Sequence, residues 1–323
     1  MRSTFLEYAI CPICGGGFDF KFYKEDMFEI EEAILACANC GYSTAVTEGI
    51  VNLLFNMDAA TLRETNLHVQ DHKQMFEKEL VNHSLEELER LWANMEQETS
   101  REYGVAVKNI FNHTIDQADL RNDDAILDLG AGTGWSTAQL AKRFGYCVAI
   151  DLCKPIKLGL SKVFLSQETF FERCLANIEC LPFKDGCFDA VTSMASLHHV
   201  TNLDAALGES WRVLKEGGRL VLIGEPVVPQ NYLGTDEEYR MQKEKGFNEH
   251  QYTAQQWLAA CERAGFAAAD GSSSSGDDLD RYYQVNEAGI QTPLPVFIKK
   301  TVGRGGFREI LGKCSALLGR KDR

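Results

Sequence analysis

The pattern of apolar and polar residues changes character along the chain. From about Asp123 onward, short apolar runs such as AILDL, CVAIDL, FDAVTSM and GRLVLIGE alternate with longer amphipathic stretches such as TAQLAKRF and DAALGESWRVLKEG. The short runs predict buried strands, and the stretches between them predict helices. This alternation is typical of a mostly parallel sheet covered on both faces. We therefore predict a doubly wound α/β domain over residues 119–301.

Residues 58–118 predict a helical connector before that domain. Ser84 and Glu87 have the spacing of a capping box, and apolar residues recur after it at three- and four-residue intervals. These apolar residues are Leu85, Leu88, Leu91, Trp92 and Met95. Inside the α/β domain, Thr253 with Gln256 predicts the start of a late helix, and Gly265 predicts its end.

Residues 302–323 form a basic tail. Its apolar residues also recur at helical spacing: Phe307, Ile310, Leu311, Cys314, Leu317 and Leu318. The pattern predicts a basic amphipathic helix. Such a helix either makes peripheral contact with an anionic membrane surface or docks on the acidic body of its own chain.

Residues 1–57 contain two cysteine pairs, Cys11-Pro-Ile-Cys14 and Cys37-Ala-Asn-Cys40, each followed by glycine. A CxxC turn directs two thiolates at one metal, and four thiolates complete a tetrahedral zinc site with no open position. We predict a small zinc ribbon with one structural Zn²⁺. Cysteines without metal are the alternative; a redox role is disfavoured because neither pair opens a helix.

A glycine turn joins the first strand of the α/β domain to the helix that follows it. Gly130, Gly132 and Gly134 alternate as GxGxG, and the next strand ends at Asp151. Glycines let a ligand approach the backbone closely, and an acid at a strand tip can accept hydrogen bonds from both ribose hydroxyls of a nucleoside. The turn and the acid together predict a nucleoside-binding site.

Five segments in order resemble class I S-adenosylmethionine-dependent methyltransferases: LDLGAGTGWST, AIDL, LPFKDGCFDAV, the LHH after it, and WRVLKEGGRLVLIGE. The resemblance covers residues 120–225 and implies a seven-stranded, mostly parallel sheet whose last strand is antiparallel. It further implies S-adenosylmethionine as cofactor, with a set of contacting residues. These residues are Asp128, Gly130, Gly132 and Gly134 in the turn, Asp151 for the ribose, and Leu152, Asn177 and Ile178 around the adenine.

The N-terminal module resembles two others of about fifty residues. One is the zinc module of ribosomal RNA guanine methyltransferases, and the other is the small zinc-ribbon protein that activates several methyltransferases. The shared features are the two CxxC pairs and the ending EGIVNLL. Both resemblances associate the module with methyltransferases without naming the acceptor.

Charge and cysteine content restrict the partners. The chain has 47 acidic against 33 basic residues and a formal net charge of -14, which disfavours nucleic acid as a partner. No run of 18 apolar residues is present, the N-terminus lacks the pattern of a secretory signal, and 11 cysteines fit a reducing compartment. We expect a cytoplasmic enzyme.

For the methyl acceptor, the sequence favours a small molecule or a carbohydrate or lipid intermediate, methylated on oxygen or nitrogen. A ribosomal or transfer RNA methyltransferase and a non-catalytic scaffold with the cofactor fold are the alternatives. Three residues are candidates for the catalytic base or its support: His250 in the Asn-Glu-His-x-Tyr cluster, Glu225 at a strand tip, and His198 in LHH.

Overall fold

The structure is a computed structural model of the chain. It describes residues 1–26, 29–55, 57–79, 81, 84, 87, 101–154, 159–160, 169–228, 237–268 and 316–321. The helices are α1 (Ala59–Glu79), α2 (Arg101–Gln117), α3 (Trp135–Ala141), α4 (Leu203–Val213), α5 (Glu237–Lys245) and α6 (Ala254–Arg263). Short 3-10 turns lie at Ser3–Glu7 and Leu197–His199.

The strands begin with β1 (Phe18–Glu25), β2 (Ile30–Cys37), β3 (Ser43–Thr47) and β4 (Ile50–Asn52). Those of the α/β domain are β5 (Ala125–Leu129), β6 (Tyr146–Asp151), β7 (Glu172–Leu175), β8 (Phe188–Met194), β9 (Leu214–Ile223), β10 (Val227–Val228), β11 (Tyr252–Thr253), β12 (Phe266–Ala268) and β13 (Ala316–Lys321).

The central sheet has the predicted mostly parallel topology. Its strands lie in the order β7-β6-β5-β8-β9-β13-β12, and β13 is antiparallel to both of its neighbours. Successive strand residues alternate between two separate cores, because side chains of a strand point to opposite faces: Ile126 belongs to one core and Leu127 to the other. The doubly wound, seven-stranded fold with one antiparallel strand is confirmed.

The cysteine-bearing module is continuous with this sheet. Strands β1 to β4 form an antiparallel meander, and β4 then pairs in parallel with β7. One sheet of eleven strands results. The module therefore shares its backbone hydrogen bonds with the α/β domain, which helps to fix the position of α1, the helix that follows it.

The tail prediction is wrong for Ala316–Lys321. These residues form β13, which lies between β9 and β12 and supplies the antiparallel strand of the sheet. Local spacing favoured a helix, but an open position between two strands satisfies the backbone of this segment on both sides. The α/β domain thus extends beyond residue 301. Residues 302–315, with Phe307, Ile310, Leu311 and Cys314, lie outside the described residues.

Helix-end predictions are confirmed where they can be compared. Thr253 and Gln256 form a capping box at α6, and Ser84 and Glu87 exchange the same reciprocal hydrogen bonds. The apolar residues from Leu85 to Met95 lie outside the described residues. Within the described part of the chain, none of the helices has both the length and the hydropathy of a membrane span.

A buried ion pair joins the module to the α/β domain. Arg173 Nη2 on β7 donates to both carboxylate oxygens of Glu29, each at 2.7 Å, and both side chains are almost fully buried. Burial opposes ionisation of Glu29, but Arg173 and the ammonium of Met1 outweigh it and lower the pKa of the carboxyl. Gly49 packs directly against this pair, and a Cβ there would overlap the Glu29 carboxylate and lie 2.6 Å from Arg173 Nη2.

We expect Gly49→Ala to destabilise the protein far more than Gly217→Ala. Both glycines have left-handed φ angles (75° and 69°), so each variant carries backbone strain of about 1–2 kcal/mol. Only Gly49→Ala also displaces the buried pair, at a further cost of about 3–5 kcal/mol, because nothing lies within 4 Å of a Cβ at Gly217. Urea unfolding measures both, and equal losses in the two variants would contradict the role of the pair.

Candidate active site

The glycine turn is built by its backbone conformation. Gly130, Gly132 and Gly134 all have positive φ angles, of 63°, 53° and 78°. The turn is tied to the next strand, because the N–H of Ala131 donates to the carbonyl of Ile150 at 2.9 Å. Gly130 also lies against Ser196, where a Cβ would overlap the serine hydroxyl. A side chain cannot be accommodated at Gly130.

Asp151 braces the turn from the tip of β6. Its Oδ2 accepts from the N–H of Gly132 at 2.8 Å, and its Oδ1 accepts from the N–H of Cys153 at 2.8 Å. These two bonds hold the acid in place at the tip of β6.

Asp128, predicted to contact the cofactor, lies beneath the turn. It is 1% exposed, and its carboxylate accepts from the hydroxyls of Ser136, Thr137 and Thr192 at 2.6, 2.7 and 2.8 Å. Burial raises the pKa of this carboxyl, and the three hydroxyls oppose the shift. These bonds fix the first turn of α3 to β5 and β8. Gly134 is the N-cap of α3.

A cavity of about 200 Å³ opens above the turn, at the carboxyl ends of the parallel strands. Six of the eight predicted cofactor residues line it: Gly130, Gly132, Asp151, Leu152, Asn177 and Ile178. Asp128 and Gly134 are not among its lining residues. The cavity is also lined by residues of α1 and of the loop after β8: Thr61, Glu64, Thr65, His68 and His199.

Three lining residues of the cavity form a cluster: Glu64, His68 and His199. Glu64 Oε1 lies 3.1 Å from His68 Nε2 and 3.1 Å from His199 Nδ1. Burial opposes ionisation of Glu64, but the adjacent imidazoles and the backbone N–H of Asn248 outweigh it and lower its pKa to about 2. Desolvation lowers the pKa of His199. We call these three residues the histidine–glutamate cluster.

The three predicted catalytic residues lie behind the cavity wall. Glu225 is 2% exposed and accepts from the backbone N–H groups of Ser196, Leu197 and His198. Its Oε2 also lies 2.8 Å from His198 Nδ1, and this interaction raises the pKa of His198 although burial opposes it. Glu225 therefore braces the loop after β8, and it is not among the residues that line the cavity.

His250 packs on the same loop. Its backbone N–H donates to the carbonyl of His198 at 3.0 Å, and its ring Nδ1 lies 3.0 Å from that oxygen. The neighbouring Glu249 places Oε1 3.6 Å from His198 Nε2 and Oε2 3.5 Å from His199 Nδ1. The segment that carries His250 thus reaches the histidine–glutamate cluster through Glu249. His250 itself binds the backbone of the loop after β8.

Sequence analysis missed Glu64 and His68. They are four residues apart on α1, on one face of the helix, and more than a hundred residues from His199. A Glu-x-x-x-His spacing on a polar helix is common and does not single out a site. Only the packing of α1 against the loop after β8 brings them together.

The four cysteines of the module also converge. Cys11 Sγ lies 3.6 Å from Cys40 Sγ, Cys14 Sγ lies 3.5 Å from Cys37 Sγ, and all four sulfur atoms are within 4.8 Å of one another. None of them forms a disulfide. A hydrogen bond from the backbone of Cys40 lowers the pKa of the Cys37 thiol to about 7.

Comparison with known proteins gives the following matches. Residues 127–222 match a family model described as a methyltransferase domain. A ubiquinone/menaquinone biosynthesis C-methyltransferase of Francisella tularensis subsp. holarctica is 36% identical over 124 residues, 36% of this chain and 49% of that protein. A demethylmenaquinone methyltransferase of Corynebacterium urealyticum is 39% identical over 113 residues, 34% of this chain and 46% of that protein.

The chain thus spans about half the length of the curated relatives it matches. Among solved structures, a candidate methyltransferase of Bacillus halodurans is 28% identical, with a TM-score of 0.44, and covers 50% of this chain and 70% of that one. The family match coincides with β5 to β9, the glycine turn and the strand tip at Asp151. Residues 127–222 are therefore similar to a methyltransferase domain.

Proposed function

We propose that the whole chain transfers a methyl group from S-adenosylmethionine to a small molecule or a carbohydrate or lipid intermediate that carries a hydroxyl group. One observation supports this most directly. The same cavity is lined by the glycine turn and Asp151 and by the histidine–glutamate cluster. In this proposal the donor binds against the turn, which we call the turn side, and the acceptor binds against the cluster, which we call the acceptor side.

The residues on the turn side fit the cofactor. Gly130 and Gly132 expose backbone without a Cβ, Asp151 offers carboxylate oxygens to ribose hydroxyls, and Asn177 offers an amide oxygen to the adenine amino group. When bound, S-adenosylmethionine supplies a methyl carbon on positively charged sulfur; that carbon–sulfur bond breaks as the acceptor atom bonds to the carbon. The fixed carboxylate of Asp151 orients the nucleoside for this step.

The histidine–glutamate cluster would activate the acceptor. A hydroxyl is a better nucleophile after it loses its proton, and imidazole nitrogens next to a carboxylate are suited to this near neutral pH. We assign activation to Glu64, His68 and His199 together. His198 and Glu225 are then positioning residues, because they hold the loop that carries His199.

The methylated atom depends on the acceptor. One of the relatives described above is a C-methyltransferase of ubiquinone and menaquinone biosynthesis. Loss of a proton from a phenol or enol makes both its oxygen and the adjacent carbon nucleophilic, so one activated hydroxyl supports O- or C-methylation. The sequence favoured methylation on oxygen or nitrogen. We extend that range to include a carbon atom next to the activated hydroxyl.

Replacing His199 with glutamine is expected to lower turnover by about 10²–10⁴ while S-adenosylmethionine affinity stays nearly unchanged, because the ring lies on the acceptor side. The assay follows labelled methyl transfer to a panel of phenols, catechols, quinols and lipid extract. The matched control is His113→Gln on α2, which is exposed.

Two results would contradict this proposal. Equal turnover in His199→Gln and the unchanged protein would remove the cluster from the chemistry. Methylation of transfer or ribosomal RNA in a parallel reaction, with none of the small acceptors labelled, would favour the RNA alternative over the small-molecule one.

We also propose that Cys11, Cys14, Cys37 and Cys40 bind one structural Zn²⁺. Four sulfurs at about 2.3 Å from a tetrahedral zinc lie about 3.8 Å apart, and the separations of 3.5 and 3.6 Å need only a small adjustment. With four thiolates the ion has no open position, so it would stabilise the module and take no part in methyl transfer.

A further inference from the structure

The histidine–glutamate cluster has the composition and spacing of a metal site. One side-chain ligand atom from each of Glu64, His68 and His199 lies within 4.8 Å of the other two. Two ligands on one transition metal, each about 2.0–2.2 Å from it, lie about 2.9–3.5 Å apart at tetrahedral or octahedral angles. The two separations from Glu64 Oε1, 3.1 Å each, fall in this interval.

The surrounding residues fix these ligands in place. Glu64 Oε2 accepts from the backbone N–H of Asn248 at 2.6 Å, which leaves Oε1 for the cluster. The side-chain amide of Asn248 donates to the carbonyl of His199 at 2.7 Å. Outer hydrogen bonds of this kind orient ligands at established metal sites. The loop containing Asn248 therefore holds two ligands from separate elements together.

Hydrogen bonding within the cluster leaves His199 unsatisfied. Its Nδ1 is closed off from solvent and, among the described residues, makes no hydrogen bond of regular geometry, although Glu64 Oε1 and Glu249 Oε2 lie 3.1 and 3.5 Å away. The carboxylates of Glu64 and Glu249 both approach this one ring nitrogen. Buried charges are paired or coordinate metals, and a divalent cation would pair with these carboxylates and give the imidazole nitrogen a partner.

We propose that Glu64, His68 and His199 bind a divalent transition-metal ion, with the carboxylate of Glu249 next to them. Two imidazoles and one carboxylate suit manganese, iron, cobalt, nickel or zinc and leave coordination positions open. All three ligands line the cavity, so the open positions face it. A second step, which rests on the proposed methyltransferase function, is that an acceptor oxygen occupies one of these positions and is thereby deprotonated more easily. The cluster then activates the acceptor through the bound ion, and its imidazoles act as ligands in place of proton acceptors.

Mn²⁺ is the probe of choice, because it prefers nitrogen and oxygen ligands and avoids the thiolate set of the module. Titration of the full chain, followed by the electron paramagnetic resonance of free Mn²⁺, is expected to show about one saturable site. His68→Ala and His199→Ala should each weaken it at least about tenfold, the loss that even outer-sphere changes cause at metal sites. His113→Ala on α2 is the matched control and should bind normally.

Three outcomes would overturn the site: no saturable Mn²⁺ binding, binding in both cluster variants equal to that of the unchanged protein, or loss of binding in Cys37→Ser while both cluster variants still bind. Melting and S-adenosylmethionine calorimetry without added Mn²⁺ check that each variant is folded; if His68→Ala fails, His68→Gln replaces it. The two proposals fail separately. Mn²⁺ binding without cofactor binding contradicts the methyltransferase function and leaves the metal site, and the reverse leaves the function and removes the site.

Discussion

Replacing Cys37 with serine is expected to release the metal from the N-terminal module and to unfold β1 to β4. Structural zinc contributes about 10–16 kcal/mol of apparent binding free energy to isolated fingers, so losing one of four thiolates removes much of what holds this small meander. We expect zinc content to fall from about one equivalent to near none. Since β4 pairs with β7, the melting midpoint of the chain should fall by on the order of 10 °C.

The control is Cys187→Ser, at a thiol outside the four-cysteine group, which should change neither zinc content nor melting appreciably. Metal analysis and thermal melting follow both variants. The opposite outcome is an unchanged protein that is isolated with no bound zinc and whose melting temperature is not lowered by Cys37→Ser. That outcome would show that the four cysteines do not hold a structural ion.

Gly130→Ala is expected to weaken S-adenosylmethionine binding by about 100-fold or more, equivalent to about 2.8 kcal/mol. The new Cβ would overlap Ser196 Oγ and lie 2.6 Å from Ser196 Cβ, so rotation of the serine cannot relieve the clash. The Ser196 loop cannot retreat either, because its N–H donates to buried Glu225 at 3.0 Å. The glycine turn itself must move, and the cofactor contacts move with it.

Gly186→Ala separates this effect from backbone strain. Gly186 has a similar φ of 59°, but its nearest atom to a new Cβ is the Leu214 carbonyl oxygen at 3.8 Å. It should lose about 1–2 kcal/mol of stability and no affinity. The double variant Gly130→Ala/Ser196→Gly removes the clash and should recover much of the binding. Calorimetry that shows equal affinity in Gly130→Ala and Gly186→Ala would contradict the argument.

Local pattern was enough to predict the central sheet, the glycine turn and the cysteine cluster. Each is specified by neighbouring residues: apolar runs of strand length, glycines at alternate positions, and thiols two residues apart. The position of Asp151 at a strand tip was predictable for the same reason, because the apolar run before it marks the strand. The late helix is equally local, because Thr253 and Gln256 cap it through residues three apart.

Long-range packing decided the rest. Ala316–Lys321 has helical spacing in sequence, yet an open place between β9 and β12 makes it a strand. A glutamate at a strand tip can either contact the acceptor or brace a neighbouring loop. The structure shows Glu225 bracing the loop after β8, because its carboxylate accepts from three backbone N–H groups. Glu64 and His68 become partners of His199 only because α1 packs on the loop after β8. Sequence determined the elements and the glycine turn, since these depend on neighbouring residues. The histidine–glutamate cluster depends on contacts between distant segments, which only the tertiary structure brings together.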